Sequence, residues 1–241
     1  MRKPKMILFD YGQTLMVERN FNALDGNRAV LERAADTNGI MAEEVAALSA
    51  ELTAEYRELG HTNCFEIHVH SLQRYLYEYL GITLGMSMLK TEELFWDAAA
   101  PAVPAEGIME LLELLRHMKI QTGVISNISF SGEALRGRIH RAFPEHSFSF
   151  ILASSEYVFR KPSPRIFELA LHKAHLSASD VWYCGDNPSC DIEGAAACGI
   201  FPVWYTGNLL HPFDPPTVPC LTISHWKELL DILAQMNENA D

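Results

Sequence analysis

Met6-Ile7-Leu8-Phe9-Asp10-Tyr11-Gly12-Gln13-Thr14-Leu15 runs four apolar residues straight into a carboxylate, a glycine and a hydroxyl. Four apolar residues in a row, too few for a helix and rich in β-friendly side chains, predict a fully buried strand. A carboxylate at the C-terminal end of such a strand, beside a glycine turn, stands where open α/β sheets gather ligand chemistry. The same residues also fit a plain strand-ending turn, because Asp and Gly are ordinary turn formers. On this stretch alone both readings are open.

Working outward, residues 22–36, 42–59, 71–80 and 92–100 carry apolar side chains at helical spacing, and Gly39, Gly60 and Gly81 stand where such helices stop. Nothing there alternates as a strand, so an all-helical unit is expected directly after the first strand. From Pro101 the pattern changes. Helices at 105–118, 131–142, 164–175, 189–198 and 225–236 interleave with apolar strands at 122–125, 148–152, 181–184 and 201–205. Ser224 is a candidate N-cap for the last helix. The proline-rich segment 207–219 reads as a loop. Strands alternating with helices imply an α/β fold, a parallel sheet covered on both faces.

The 241-residue chain is 48% hydrophobic and 21% charged, a globular composition long enough for one large domain or two modest ones. A formal net charge of −12 speaks against nucleic acid and against an anionic membrane surface as partners. It leaves room for a small anionic substrate, because lysine, arginine, backbone N–H groups or a metal can make a local positive pocket. Cys64, Cys184, Cys190, Cys198 and Cys220 show no paired spacing and read as reduced thiols. The apolar run after residues 1–5 is broken by Asp10, and no stretch approaches the ~18 apolar residues of a membrane span. A soluble, cytoplasmic protein is expected; oligomeric state is not legible.

The strand ends matter as a set. One strand ends on Asp10, the next on Ser126-Asn127 and a third on Gly185-Asp186-Asn187, with Asp191 close behind. Arg160-Lys161-Pro162 leads into a helix. Parallel strands present their C-terminal ends on one edge, so these side chains can converge. Phosphoryl transfer is the chemistry such a set supports. One carboxylate attacks phosphorus, a second helps hold Mg²⁺, and hydroxyl, amide and lysine steady the phosphoryl oxygens.

Asp10…Thr14, Ser126, Lys161-Pro162-x-Pro164-x-Ile166-Phe167 and Gly185-Asp186-x₄-Asp191 resemble, in order and spacing, the four motifs of the haloacid dehalogenase-like (HAD) hydrolase superfamily. The resemblance covers the whole chain and implies a Rossmann-like core, residues 1–15 and 99–241, with a C1-type helical cap over residues 16–98. It implies Asp10 as nucleophile, with Ser126, Asn127 and Lys161 on the phosphoryl group. It further implies a Mg²⁺ site of Asp10, the carbonyl of Gly12 and Asp186. Asp191 would ligate a metal-bound water or orient Lys161, and Thr14 would support the loop. The substrate so implied is a small phosphorylated metabolite.

One departure matters. Phosphatases of this superfamily carry a second Asp, the general acid and base, two residues after the nucleophile; here that position is Gly12, which cannot move a proton. Losing general acid–base assistance costs ~10²–10⁴-fold in rate. Three readings therefore stand beside one another. They are a phosphatase with a good leaving group or a substitute acid, a binder of phosphorylated ligands without turnover, and a metal-independent 2-haloacid dehalogenase. Asp186 favours the metal, hence phosphorus over carbon. His61, His68 and His70, with Cys64, are a weak candidate for a metal site or for a substitute acid facing Asp10. Tyr75, Tyr77, Tyr79, Phe95 and Trp96 read as core of the helical insert. Arg160 reads as exposed, Asn187 as a helix cap, and Arg19, Asn20 and Asn22 as hinge or substrate contacts.

Overall fold

The computed structural model describes residues 2–18 and 20–238. Strand β1 (Met6–Phe9) lies in the middle of the sheet, paired in parallel with β4 (Gln121–Ser126) on one side and β6 (Val181–Gly185) on the other. Strand β5 (Ile151–Ala153) extends the first side, and β7 (Phe201–Tyr205) and β8 (Leu221–Ile223) the second. The order is thus β5-β4-β1-β6-β7-β8, every pairing parallel. The chain fills one side of β1 and then crosses to the other, which puts the crevice of the doubly wound fold at the C-terminal end of β1.

Alternation along β1 distributes its side chains between two cores. Ile7 and Phe9 pack with α5 (Ile108–His117), α6 (Gly132–Ala142) and α9 (Trp226–Glu238), while Met6 and Leu8 pack with α7 (Pro164–Ala174) and α8 (Gly194–Ala197). A strand buried on both faces has no polar positions to alternate with, which is why it reads as a continuous apolar run.

Between β1 and β4 lie α1 (Ala23–Leu31), α2 (Ala42–Asn63), α3 (Val69–Tyr79) and α4 (Met88–Ala99). Val30, Val45, Tyr77 and Ile82 form a small core of their own. Gly26 lets α1 approach α4, since a Cβ there would lie 2.7 Å from the Phe95 ring.

Several expectations are corrected. A two-stranded antiparallel ribbon, β2 (Met16–Glu18) against β3 (Ala102–Pro104), opens and closes the helical segment where no strand was expected. Three-residue strands are too short for alternation to register. Strand β8 follows the 207–219 loop at a position where the sequence pattern gives no strand. Helix α1 stops at Leu31, not Asp36, because Asp36 turns away to bridge Thr83. Helix α2 runs through Gly60, a residue that weakens a helix without forbidding it. The helix expected at 189–198 opens as a π-type turn over Pro188–Glu193. Tyr75 and Tyr79 are exposed and stack on each other, with ring centroids 5.7 Å apart, whereas Tyr77 and Trp96 are buried as expected. Among the described residues no helix is long and apolar enough to cross a membrane, and the five cysteines are free.

Candidate active site

Asp10 stands one residue beyond β1, its N–H donating to the Cys184 carbonyl at 2.8 Å, so the strand ladder itself fixes the carboxylate. The next turn is closed by Leu15 and Met16, whose N–H groups both donate to the Tyr11 carbonyl. Ser126 ends β4 and is buried. Asp186 follows β6, and its carbonyl accepts from Trp204 Nε1 at 2.9 Å. These positions share one edge because the strands that carry them are neighbours in register.

Lys161 joins the set from the loop before α7. The residue is 2% exposed, and its ammonium donates to Asp10 Oδ1 at 2.6 Å, Asp191 Oδ1 at 2.6 Å and the Tyr183 hydroxyl at 2.7 Å. All three N–H bonds are therefore used. Asn127 fixes the loop: its Oδ1 accepts from the Lys161 N–H at 2.7 Å and its Nδ2 donates to the Lys161 carbonyl at 2.8 Å. Both ends of this amide are committed to the Lys161 backbone, so the side chain expected on the substrate instead positions the lysine.

Asp191 is held from every side. Oδ1 takes Lys161 and Tyr183, and Oδ2 accepts from the Asn187 N–H at 3.0 Å. Gly185 makes this approach possible, since a Cβ there would sit 2.4 Å from Asp191 Cγ. Asn187 caps the following turn by accepting from the Cys190 N–H at 2.9 Å. The carboxylate oxygens of Asp10, Asp186 and Asp191 lie within 4.8 Å of one another. Three carboxylates against one ammonium leave this buried cluster short of positive charge. Burial pushes the Asp186 carboxyl up to about 8, reinforced by Asp191 and Asp10. Burial also raises Asp10 to about 6, even though Lys161 pulls it down. For Lys161, burial works against the charged form, but Asp10 and Asp191 outweigh it and the ammonium is held above its ordinary range. A compact set of hard oxygen donors with surplus negative charge fits a divalent cation such as Mg²⁺.

A cleft of about 270 Å³ opens over this cluster, lined also by Gly12, Glu18, Trp96, Phe130, Arg160 and Cys190. Sequence reasoning missed Tyr183, which sits inside the apolar run of β6 and carried no polar signal of its own. It also missed Glu18 and its partners. Glu18 accepts from Trp96 Nε1 at 3.2 Å and pairs with Arg138 at 3.2 Å, while Arg138 lies 4.2 Å above the Trp96 ring. Residues 18, 96 and 138 are too far apart in sequence for any local pattern to link them.

The profile of the haloacid dehalogenase-like hydrolases matches residues 34–204, most of the chain, taking in Ser126, Lys161, Asp186 and Asp191. The chain belongs to this family. Among curated relatives, this HAD-like hydrolase is 36% identical over 84 residues to a phosphoserine phosphatase of Thermus thermophilus, covering 35% of the chain and 33% of that protein. It is 32% identical over 131 residues to the human haloacid dehalogenase-like hydrolase domain-containing protein 3, covering 53% and 51%. The chain thus spans about half, or less, of the length of these relatives. Two solved structures share the fold. A 2-haloacid dehalogenase from Pseudomonas syringae pv. tomato matches with TM-score 0.66 and 24% identity over 98% of this chain and 99% of the other. A HAD phosphatase from Thermococcus onnurineus matches with TM-score 0.65 and 18% identity over 97% and 98%.

The remaining candidates of the HAD-like chain divide. Thr14 is fully buried, but its hydroxyl has no hydrogen-bond partner among the described residues, so the loop is held by backbone bonds instead. Arg160 is partly buried and pairs with Glu66 at 3.5 Å at the edge of the cleft, a correction to its reading as exposed. His68 is the N-cap of α3, accepting from the His70 N–H at 3.2 Å, and His70 Nε2 lies 2.7 Å from Glu92. Neither histidine lines the cleft over Asp10. Asn22 caps α1 through the Leu24 N–H at 3.0 Å, and Asn20 is exposed. Arg19 and the side chain of His61 lie outside the described residues.

Proposed function

We propose that this chain is a Mg²⁺-dependent phosphomonoester hydrolase for a small phosphorylated metabolite, with Asp10 as nucleophile. The observation that carries the reading is the buried Lys161 ammonium clamped between Asp10 and Asp191, with Asp186 beside them. A lysine so placed holds the Asp10 carboxylate aimed from one oxygen and leaves the other oxygen for attack. Asp10 attacks phosphorus, the P–O bond to the alcohol breaks, and an aspartyl-phosphate forms. Water then attacks that phosphorus, releasing phosphate and restoring the carboxylate. Ser126 steadies the phosphoryl oxygens through both steps, and Lys161, its donors spent on Asp10, Asp191 and Tyr183, contributes its positive charge.

Mg²⁺, held by Asp10, Asp186 and the Gly12 carbonyl, would offset the repulsion between carboxylate and phosphate. Gly12 contributes no proton, so the leaving alcohol must depart unassisted or take its proton elsewhere, and good leaving groups are favoured. Residues 16–98 act as a cap of the C1 type over the core formed by 1–15 and 99–241, keeping bulk solvent off the site while admitting the water that hydrolyses the acyl-phosphate. The acidic cluster supports phosphorus over carbon as the reacting centre, since dehalogenation needs no cation. A panel of phosphate monoesters, assayed with Mg²⁺ and with EDTA, tests this. Turnover is expected with Mg²⁺ alone and is lost in Asp10→Asn. Hydrolysis that survives EDTA or that substitution would end the reading, as would halide release from 2-chloropropionate without metal.

A further inference from the structure

Between α2 and α3, residues Cys64–Glu66 reach out of the helical segment to the loop that leads into α7. The Glu66 N–H donates to the Val158 carbonyl at 2.7 Å, and the Arg160 N–H donates to the Cys64 carbonyl at 2.9 Å. These two bonds make a short antiparallel bridge centred on Phe65 and Phe159. The two rings lie 5.9 Å apart and are both partly exposed. Lys161 is the next residue along the chain.

The Glu66 side chain is 8% exposed and joins both loops that carry site residues. Its carboxylate accepts from the Ser129 hydroxyl at 3.1 Å and the Ser154 hydroxyl at 3.0 Å, and it pairs with Arg160 at 3.5 Å. Ser129 lies on the loop after Ser126 and Asn127, and Arg160 adjoins Lys161. A buried carboxylate is costly unless donors surround it. Here the helical segment supplies the anion and the sheet side supplies the donors. Val158 carries a second sign of the same contact. Its φ of 68° lies in the left-handed region, an outlier for a β-branched residue, and such a conformation persists only where its surroundings enforce it. The Glu66 N–H on the Val158 carbonyl enforces it. The loop ahead of Lys161 is therefore held in a shape it would not keep alone.

We propose that Glu66 is a positioning residue, and that Cys64–Glu66 clasps the loop ahead of Lys161 so that its ammonium is aimed at Asp10 only while the helical segment is docked. The inference rests on the phosphomonoesterase reading and gives the helical segment a part in assembling that site. Glu66 stands outside the lining of the cleft over Asp10. It acts through Arg160, the backbone neighbour of Lys161, and through Ser129, on the loop whose Asn127 holds the Lys161 backbone. A loosened clasp lets both loops drift, and a displacement of about 1 Å at reacting groups costs on the order of 10²-fold in rate.

The test is Glu66→Ala, assayed with p-nitrophenyl phosphate and Mg²⁺ well below its melting temperature. The expected result is a kcat lower by about tenfold or more with KM within about twofold, since no contact to substrate is removed. Glu66→Gln should restore most of the rate, because its amide can accept from one serine hydroxyl and donate to the other. Amide hydrogen exchange adds a readout that plain adhesion would not move. The Lys161 N–H is bonded to Asn127, not to the clasp, so it exchanges faster in Glu66→Ala only if the loosening reaches the lysine. The amides of β6 should keep their wild-type rates. If Glu66→Ala does not fold, Ser129→Ala, which removes one of the two hydroxyl bonds, takes its place with an expected loss of about threefold in kcat. A kcat unchanged from wild type, or a Lys161 N–H that exchanges as in wild type, overturns the inference and leaves the hydrolase reading standing. If the wild type turns over no ester, the hydrolase reading fails and exchange alone decides. Faster exchange at Lys161 then keeps the clasp, and unchanged exchange ends it.

Discussion

Lys161 and Gly12 show opposite ways in which one residue governs this site. Lys161 is confined: buried, with every donor taken, it is the single cation holding Asp10 and Asp191 together. Taking it away would leave buried carboxylates facing one another, the costly half of a broken buried pair. Gly12 is open. A Cβ built there meets nothing within 4 Å, so the space for a side chain exists beside Asp10 although no acid fills it. Gly12→Asp is therefore expected to fold and to supply the proton that the leaving group lacks. Turnover of alkyl phosphates should rise by ~10²-fold or more, while p-nitrophenyl phosphate, whose leaving group needs no proton, changes far less. Steady-state kinetics on the two substrate types measures this. Equal gains on both would mean that something other than proton transfer limits the rate.

At the scale of elements, the joint between the helical segment and the sheet rests on a few polar contacts set in an aromatic pile. Trp96 of α4 stacks on Phe130 with centroids 4.3 Å apart and packs against Tyr11 at 5.8 Å. Ser131 does two things here. It caps α6 by accepting from the Ala134 N–H at 3.1 Å, and its hydroxyl donates to the fully buried Glu92 of α4. Burial raises the Glu92 pKa, and the Ser131 bonds oppose that shift. Ser131→Ala should thus cost about 1 kcal/mol for the lost cap and a further ~1 kcal/mol for the hydroxyl bond to Glu92, whose carboxylate keeps His70 and the backbone N–H of residue 131. Urea unfolding at neutral pH reads the sum. A loss no larger than an ordinary cap would mean that Glu92 does not depend on Ser131.

At the scale of the molecule, the acidic cluster proposed to hold Mg²⁺ ties stability to solution conditions. Asp186 is raised from 3.8 to about 8 and Asp10 to about 6, so both bind protons more tightly folded than unfolded. With EDTA present, their contribution is fully there below the unfolded carboxyl range and is lost as pH rises through about 6 and then about 8. Mg²⁺ bound as proposed would replace the missing protons, so it should raise the melting temperature at pH 8 and flatten this decline. The expected stabilisation is about 2.7 kcal/mol at a hundredfold excess over Kd. Asp186→Asn should abolish the Mg²⁺ shift while also relieving the pH-dependent loss. Differential scanning fluorimetry across pH, with Mg²⁺ or EDTA, measures both. A melting temperature indifferent to Mg²⁺ at pH 8 would remove the metal from the proposal.

The sequence by itself determined the parallel α/β core, the helical segment after β1, and that Asp10, Ser126, Lys161, Asp186 and Asp191 meet around one cleft. Those were legible because buried parallel strands are unbroken apolar runs, and polar residues at their ends stand out against them. The short ribbon of β2 and β3 was not legible, since three residues carry no period. Nor was Tyr183, whose hydroxyl is hidden by the apolar look of its strand. Only the tertiary structure decided that Asn127 serves the Lys161 backbone and that Tyr75 and Tyr79 face outward. These are matters of side-chain direction and long-range pairing. A one-dimensional pattern records which residues are apolar and how often they recur, but not which distant partner satisfies a given hydrogen-bonding group. Asp10 could be found from its strand; what surrounds it had to be folded into place.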